Sequence, residues 1–223
     1  MSVNPAGFAI EENVITPGEC DALIEALKPI AARRAGARHL MHEPAVARVA
    51  SDERLLCIAR RELESDPVPF RATLFAKTGK ANWLVVWHQD TALPLEAKVD
   101  LPDWGPWSTK EGILYAHAPA WALCRVVALR LHLDDSSWDN GPLRVIPGSH
   151  THGVLSDEEV FDMARRRGGS RRDCIVARGG VLAMRPLLIH ASSRSTSTAP
   201  RRVLHIEYAD ALDLGNGVRL TIA

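Results

Sequence analysis

The order of patterns along this 223-residue chain predicts a mostly β fold, a sandwich or barrel, with helices packed against it. Three observations carry that prediction. Two helical segments occupy the first third, short strand-like runs separated by turn residues fill the rest from Phe70 onward, and a single helical insert interrupts those runs.

The first helix is announced by Thr16-Pro17-Gly18-Glu19, which places an N-cap, a proline at the first helical position and a capping-box glutamate just ahead of CDALIEALKPIAARR. A second helix is predicted from about Ser51 through DERLLCIARRELE, ending before Pro67. The strand-like runs are FRATLFAK, WLVVWHQD, RVVALRLHL, LRVIPG, GGVLAM, PLLIHAS and RRVLHIEYA. The insert begins at Ser156, an N-cap to DEEVFDMARRR, and stops at Gly168 and Gly169. No repeat, low-complexity tract or long linker divides the chain. One domain over 1–223 is therefore expected, with 1–69 as mainly helical support and 70–223 as the β core.

The stretch from Leu95 to Ala120 has no sustained period and holds prolines together with Trp104 and Trp107, so it reads as an ordered loop over the sheet. A proline-rich loop buries two indoles poorly unless they close over something, which makes Trp104 and Trp107 candidates for the border of a substrate space.

Composition narrows the partners. Basic and acidic residues both total 27, so no global charge points to nucleic acid or to an anionic membrane. The apolar runs fall far short of the roughly 20 residues that cross a bilayer, and the N-terminal segment lacks a basic-then-apolar signal pattern, so a cytoplasmic location is expected. Cys20, Cys57, Cys124 and Cys174 are scattered without a C-x-x-C pair and are expected as buried, reduced thiols. A small molecule is the partner this leaves, and oligomeric state is not legible.

Metal chemistry is more promising among the nine histidines. His88-Gln89-Asp90 ends an apolar strand-like run, and residues two apart in an extended chain share a face, so an imidazole and a carboxylate are presented side by side. A histidine from a distant strand would complete a two-His, one-carboxylate set, which leaves open positions on Fe(II). His190 ends another apolar run and is followed by a small polar stretch, then Arg201 and Arg202 at the start of a further strand. A 2-oxo acid chelating iron leaves a distal carboxylate that needs a fixed cationic fork, and strand alternation lets one of the two arginines face inward.

The stretches WHQD at 87–90, DNGPLRVIPGSHTHG at 139–153, GGVLAMRPLLIHASS at 179–193 and PRRVLHIEYA at 200–209 resemble, in order, those of the phytanoyl-CoA dioxygenase family of Fe(II)/2-oxoglutarate-dependent oxygenases. The resemblance implies a double-stranded β-helix, a cupin-like jelly roll. It implies His88, Asp90 and His190 as iron ligands, Arg201 as the partner of the distal carboxylate of 2-oxoglutarate, and Ser192 as a hydroxyl that assists it. A strand residue near Arg130 also borders the co-substrate in similar proteins, though arginine is not its usual occupant. The implied reaction consumes 2-oxoglutarate and dioxygen, releases succinate and CO2, and hydroxylates an aliphatic C–H bond. Related halogenases replace the carboxylate ligand by a small residue, so Asp90 argues for oxygen transfer.

Asn140-Gly141 is read as a structural turn. His150 and His152 are expected as solvated loop residues, and His205 as a hydrogen-bonded interior histidine beside the site. The competing expectation is a metal-binding, cupin-like sensor or binding module without oxygenase activity, which would need the three ligands but not Arg201.

Overall fold

A computed structural model describes residues 4–32, 36–77 and 82–223. The chain starts with β1 (Phe8–Glu11), α1 (Pro17–Ala31), β2 (Gly36–Ala37), α2 (Pro44–Ala50) and α3 (Glu53–Leu63). Then come β3 (Val68–Lys77), β4 (Val85–His88), β5 (Ala92–Leu95), β6 (Trp107–Lys110), β7 (Ile113–His117), α4 (Ala120–Leu123) and β8 (Val126–His132). The remainder comprises β9 (Leu143–Val145), α5 (Asp157–Arg166), β10 (Arg172–Cys174), β11 (Val181–Met184), β12 (His190–Ser192), β13 (Arg201–Ala209) and the hairpin β14 (Asp213–Gly215) and β15 (Val218–Arg219).

The helix starts follow their caps. Thr16 accepts from the Glu19 backbone N–H while the Glu19 carboxylate accepts from the Thr16 N–H at 2.7 Å, and Ser156 and Glu159 make the same reciprocal pair at the head of α5. The second predicted helix starts one residue later than expected. Asp52, not Ser51, caps α3 by accepting from Arg54 N–H at 2.9 Å, and Ser51 instead ends α2, a short helix that the sequence reading did not separate.

A larger sheet in the order β1-β11-β8-β13-β3-β2 faces a smaller one in the order β10-β9-β12-β4, all pairs antiparallel. Strand alternation gives the larger sheet two unlike faces. Ala72 and Leu74 of β3, Val127, Leu129 and Leu131 of β8, and Leu204, Ile206 and Tyr208 of β13 turn outward and pack under Leu23 and Leu27 of α1, Val46 and Val49 of α2, and Leu55 and Ile58 of α3. The opposite face looks into the barrel. One end of that interior is apolar, filled by Ala128, Leu143, Val145, Leu182, Met184 and Leu188. The other end is open and polar.

Two expectations are corrected here. The segment from Leu95 to Ala120 is not one ordered loop throughout; residues 96–106 have no regular structure, but β6 and β7 follow them and join β5 in a three-stranded antiparallel sheet across the mouth of the barrel. Of the four free cysteines only Cys20 and Cys174 are buried, whereas Cys57 on α3 and Cys124 after α4 are exposed, because each falls on the solvent side of a helix or its end. The Asn140-Gly141 turn stands as read. Asn140 is buried, accepting from Ser137 N–H at 2.9 Å and donating to the Asp135 carbonyl at 2.7 Å. Gly141 has φ +69°, and a Cβ there would lie 2.4 Å from the Ser193 carbonyl oxygen, so both conformation and contact demand glycine. Among the described residues no helix is long and apolar enough to cross a membrane.

Candidate active site

His190 of β12 pairs directly with His88 of β4, but two residues further along β12 Ser192 faces Val85, three residues back, so β4 carries one extra residue. This bulge breaks strict alternation and lets both Val85 and His88 line the cavity. Asp90 lies beyond the strand end, where its backbone N–H donates to the Pro186 carbonyl at 2.9 Å. Gln89 points elsewhere, as alternation predicts: its amide donates to Gly153 O and Leu187 O and accepts from Leu155 N–H.

The three predicted ligand residues come together. One donor atom from each of His88, Asp90 and His190 lies within 4.8 Å of the other two. The His88 Nε2 is 3.7 Å and the His190 Nε2 3.5 Å from the two Asp90 carboxylate oxygens. In both rings Nδ1 bonds a backbone carbonyl, Val86 O at 2.8 Å and Leu188 O at 2.9 Å. A carbonyl can only accept, so Nδ1 carries the proton and Nε2 presents its lone pair to the shared space. Burial pushes the His190 imidazole down to about 4, with His88 acting in the same direction against Asp90, so it is neutral at physiological pH. Burial alone would raise the Asp90 carboxyl, but His190, His205, His88 and Arg71 outweigh it and hold the group below the usual carboxylate range. Two imidazole Nε2 atoms and a carboxylate turned to one space suit a first-row divalent metal such as Fe(II).

A cavity of about 330 Å³ opens from this cluster and is lined from two sides. On the deep side β3, β8 and β13 contribute Lys77, Arg130 and Arg201, all nearly inaccessible to solvent. Arg201 pairs with Lys77 across the β13–β3 ladder and faces inward, while Arg202 turns out to a paired carboxylate, Asp134, at 2.7 Å. The choice between the two arginines is thereby resolved in favour of Arg201 as the inward one. The Nε atoms of Arg201 and Arg130 have no hydrogen-bond partner among the described residues. Burial, with Arg130 adding to it, pushes Arg201 down to about 10; burial with Arg201, Arg130 and Arg144 pushes Lys77 down to about 8. Three buried cations without a neutralising carboxylate are costly unless an anion joins them.

Lys77 was not singled out from the sequence. Its Nζ donates to Ser192 Oγ at 3.0 Å and to the Ser193 carbonyl at 2.6 Å, so Ser192 is placed between the lysine and the cavity. The available signal was the period of β3: Arg71, Thr73, Phe75 and Lys77 all line the cavity, alternating with the helix-packed Ala72 and Leu74. His205 also lies inward, with Nδ1 3.1 Å from an Arg130 nitrogen and Nε2 3.5 Å from Glu207. Because an arginine can only donate, Nδ1 is the acceptor and the Nε2 proton faces the glutamate. Glu207 in turn makes a buried pair with Arg71.

On the mouth side the cavity is lined by Arg38, Arg71, Thr91, Lys110, Tyr115 and His117. The Tyr115 hydroxyl bonds His39 Nε2 at 2.9 Å, and Thr91 Oγ1 meets His117 Nδ1 at 2.7 Å. Trp104 and Trp107 are not in this lining. Trp104 packs edge-to-face on Trp121 within a cluster containing Leu93, Leu95, Ala118 and Leu123, and Trp107 packs against the same cluster. The expected bordering role is corrected: the indoles anchor the small sheet from behind, and its cavity face is carried by Lys110, Tyr115 and His117. His152 is exposed, as expected, but His150 is not solvated; both its ring nitrogens are buried, with the ring against Gly7.

Residues 3–203 match the family described as Phytanoyl-CoA dioxygenase (PhyH). The chain is 29% identical to an L-proline trans-4-hydroxylase of Streptomyces griseoviridis, over 55% of this chain and 47% of that protein, so it spans about half the length of this curated relative. Among solved structures it is similar to EctD from S. alaskensis with 2-oxoglutarate and 5-hydroxyectoine, with TM-score 0.68 and 21% identity over 92% of this chain and 72% of that one. It is also similar to HygX from Streptomyces hygroscopicus with nickel and 2-oxoglutarate bound, with TM-score 0.65 and 20% identity over 92% of this chain and 82% of that one. At such identities the likeness establishes the fold, the jelly roll that the family resemblance implied.

Proposed function

Because the chain belongs to the phytanoyl-CoA dioxygenase family of Fe(II)/2-oxoglutarate oxygenases, we propose that it hydroxylates an aliphatic C–H bond of a small molecule, consuming 2-oxoglutarate and dioxygen and releasing succinate and CO2. The observation that carries this reading is the juxtaposition of the His88, Asp90 and His190 donors with three buried, unneutralised cations in one cavity. A metal-binding module alone would have no use for those cations, which disfavour folding unless they meet an anion.

His88, Asp90 and His190 hold the metal, and the whole chain acts as one oxygenase domain. Bound Fe(II) supplies the redox chemistry that couples oxidation of 2-oxoglutarate to activation of dioxygen. Arg201 takes the distal carboxylate of 2-oxoglutarate in a charge-assisted fork, with Arg130 and Lys77 adding positive potential and the Ser192 hydroxyl a hydrogen bond. The carbonyls of Val86 and Leu188 keep both imidazoles in the tautomer that binds metal. The β5-β7-β6 sheet limits access of water from the mouth.

The test is succinate formation from 2-oxoglutarate by the purified protein with added Fe(II), in the presence and absence of candidate substrates. Metal-dependent succinate is the expected result. No succinate from protein that has taken up iron would favour the non-catalytic module.

A further inference from the structure

The charges at the mouth of the cavity say what kind of molecule enters it. Among the described residues six Lys and Arg side chains and a single carboxylate, Asp90, line the space. Three of the cations sit at the deep end, and Arg71 is neutralised by Glu207 from beneath. Arg38 and Lys110 remain at the entrance, neither with an ion-pair partner among the described residues. Glu111, next to Lys110 in sequence, faces His39 at 3.9 Å. A divalent metal, Asp90 and a dianionic co-substrate together carry about one negative charge, so the loaded cavity keeps an excess of positive charge. Within a cleft of low-dielectric walls such a potential concentrates anions and repels cations.

The aromatic surface points the same way. Phe75, Trp83 and Tyr115 line the cavity, and each ring already has a protein cation over it: Lys110 Nζ 4.8 Å and the Arg71 guanidinium carbon 5.6 Å from Tyr115, Lys77 Nζ 5.6 Å from Trp83, and the Arg130 guanidinium carbon 5.4 Å from Phe75. These rings already serve protein cations rather than a substrate ammonium. A cavity of about 330 Å³ stands at the small end of the roughly 300–1,000 Å³ usual for ligand sites, and the co-substrate shares it.

We propose that the substrate is a small anion whose negatively charged oxygen group docks on Lys110 and Arg38 at the cavity mouth, leaving its aliphatic part over the metal cluster. This inference rests on the oxygenase reading above for the position of the reacting carbon. Lys110 rides on β6 of the small sheet and Arg38 on the segment after β2, so recognition closes the gap between two parts of the chain remote in sequence.

Binding can be separated from turnover by titrating the anaerobic Fe(II)- and 2-oxoglutarate-loaded protein calorimetrically with pairs in which an anionic group is replaced by a neutral one: pentanoate and pentanamide, and a phosphate monoester and its parent alcohol. The expected result is that charged members of the carboxylate or the phosphate pairs bind at least tenfold more tightly than their neutral partners. That affinity falls about 10- to 150-fold in Lys110→Ala, the range for loss of one charged hydrogen bond, is largely kept in Lys110→Arg, and weakens as salt rises. The inference is overturned if no anion binds more tightly than its neutral partner, or if Lys110→Ala and Arg38→Ala leave the preference intact. Failure of succinate formation in the aerobic assay would sink the oxygenase reading instead, and this titration needs no turnover.

Discussion

The two ends of the cavity are built differently, and the contrast explains what each is for. The deep end rests on β3, β8 and β13, long central strands whose outer faces are clamped by three helices, and its cations are almost wholly buried. The mouth is assembled from the short strands β6 and β7 and the segment around Arg38; Arg38 and His117 are exposed and Lys110 half-buried, with only Tyr115 buried among them. A rigid, deeply desolvated end suits a ligand that never changes, as a co-substrate does. A peripheral end made of short strands can be re-lined by few substitutions without disturbing the barrel, which is where substrate choice is expected to reside.

The largest effect should come at the junction of the two ends: His190→Ala removes a metal donor and is expected to abolish both iron binding and succinate formation, read by metal analysis of the purified variant and by product assay. Next in size, Trp104→Ala should destabilise the fold by about 3–5 kcal/mol, as for other buried indoles, while the ratio of product to succinate stays unchanged. A loss of coupling without a loss in denaturant midpoint would show that the indole belongs to the mouth after all. At the deep end Arg201→Ala should raise the 2-oxoglutarate requirement about 10- to 150-fold, equivalent to about 1.5–3 kcal/mol. Arg202→Ala, which breaks only the outward pair with Asp134, should cost no more than about 1 kcal/mol in stability and leave the co-substrate requirement unchanged.

A graded effect, a pH dependence, is confined to the deep end. Burial and the neighbouring guanidiniums push Lys77 down to about 8, and a bound anion favours its charged form. Below that pH the lysine is already protonated and binding takes up no proton. Above it each binding event must recruit one, so 2-oxoglutarate affinity should fall by up to about tenfold per pH unit. The apparent KM between pH 7 and 9.5 should show this slope in the wild type and a flatter one in Lys77→Arg; equal slopes would remove Lys77 from the co-substrate site.

The same contrast governs what was legible in the sequence. Alternation along β13 let only one of Arg201 and Arg202 face inward and put His205 on the same face as Arg201, because a long central strand obeys its period; the resemblance supplied Arg201 as the inward one. Capping pairs at Thr16 and Ser156 located helix starts by purely local chemistry. The ligand set was legible through the family resemblance, with residue types and strand-end positions in accord; simple alternation does not place His88 and Asp90, which a bulge in β4 and the Pro186 contact do. The mouth was misread. Prolines and indoles between 95 and 120 masked the two-residue period of β6 and β7, and the side of that small sheet facing the cavity depends on packing against Leu93, Leu123 and Trp121, contacts no local pattern encodes. Lys77 was missed because a lysine ending an apolar run looks like a solvated strand terminus. Neither α2 nor the pairing of Arg71 with Glu207, 136 residues away, has a short-range signature.

One feature of the metal cluster bears on how the protein matures. Each donor is held by the main chain rather than by its future ion: both Nδ1 atoms by carbonyls two residues earlier, and the Asp90 backbone by Pro186. Small zinc modules gain their folded state from the metal, whereas here the barrel and its hydrogen bonds arrange the donors beforehand. These hydrogen bonds predict that metal uptake is a late, reversible event on a finished scaffold. Stripping with a chelator should leave the far- and near-ultraviolet circular dichroism intact, and refilling should restore the centre within the time of mixing rather than the time of folding.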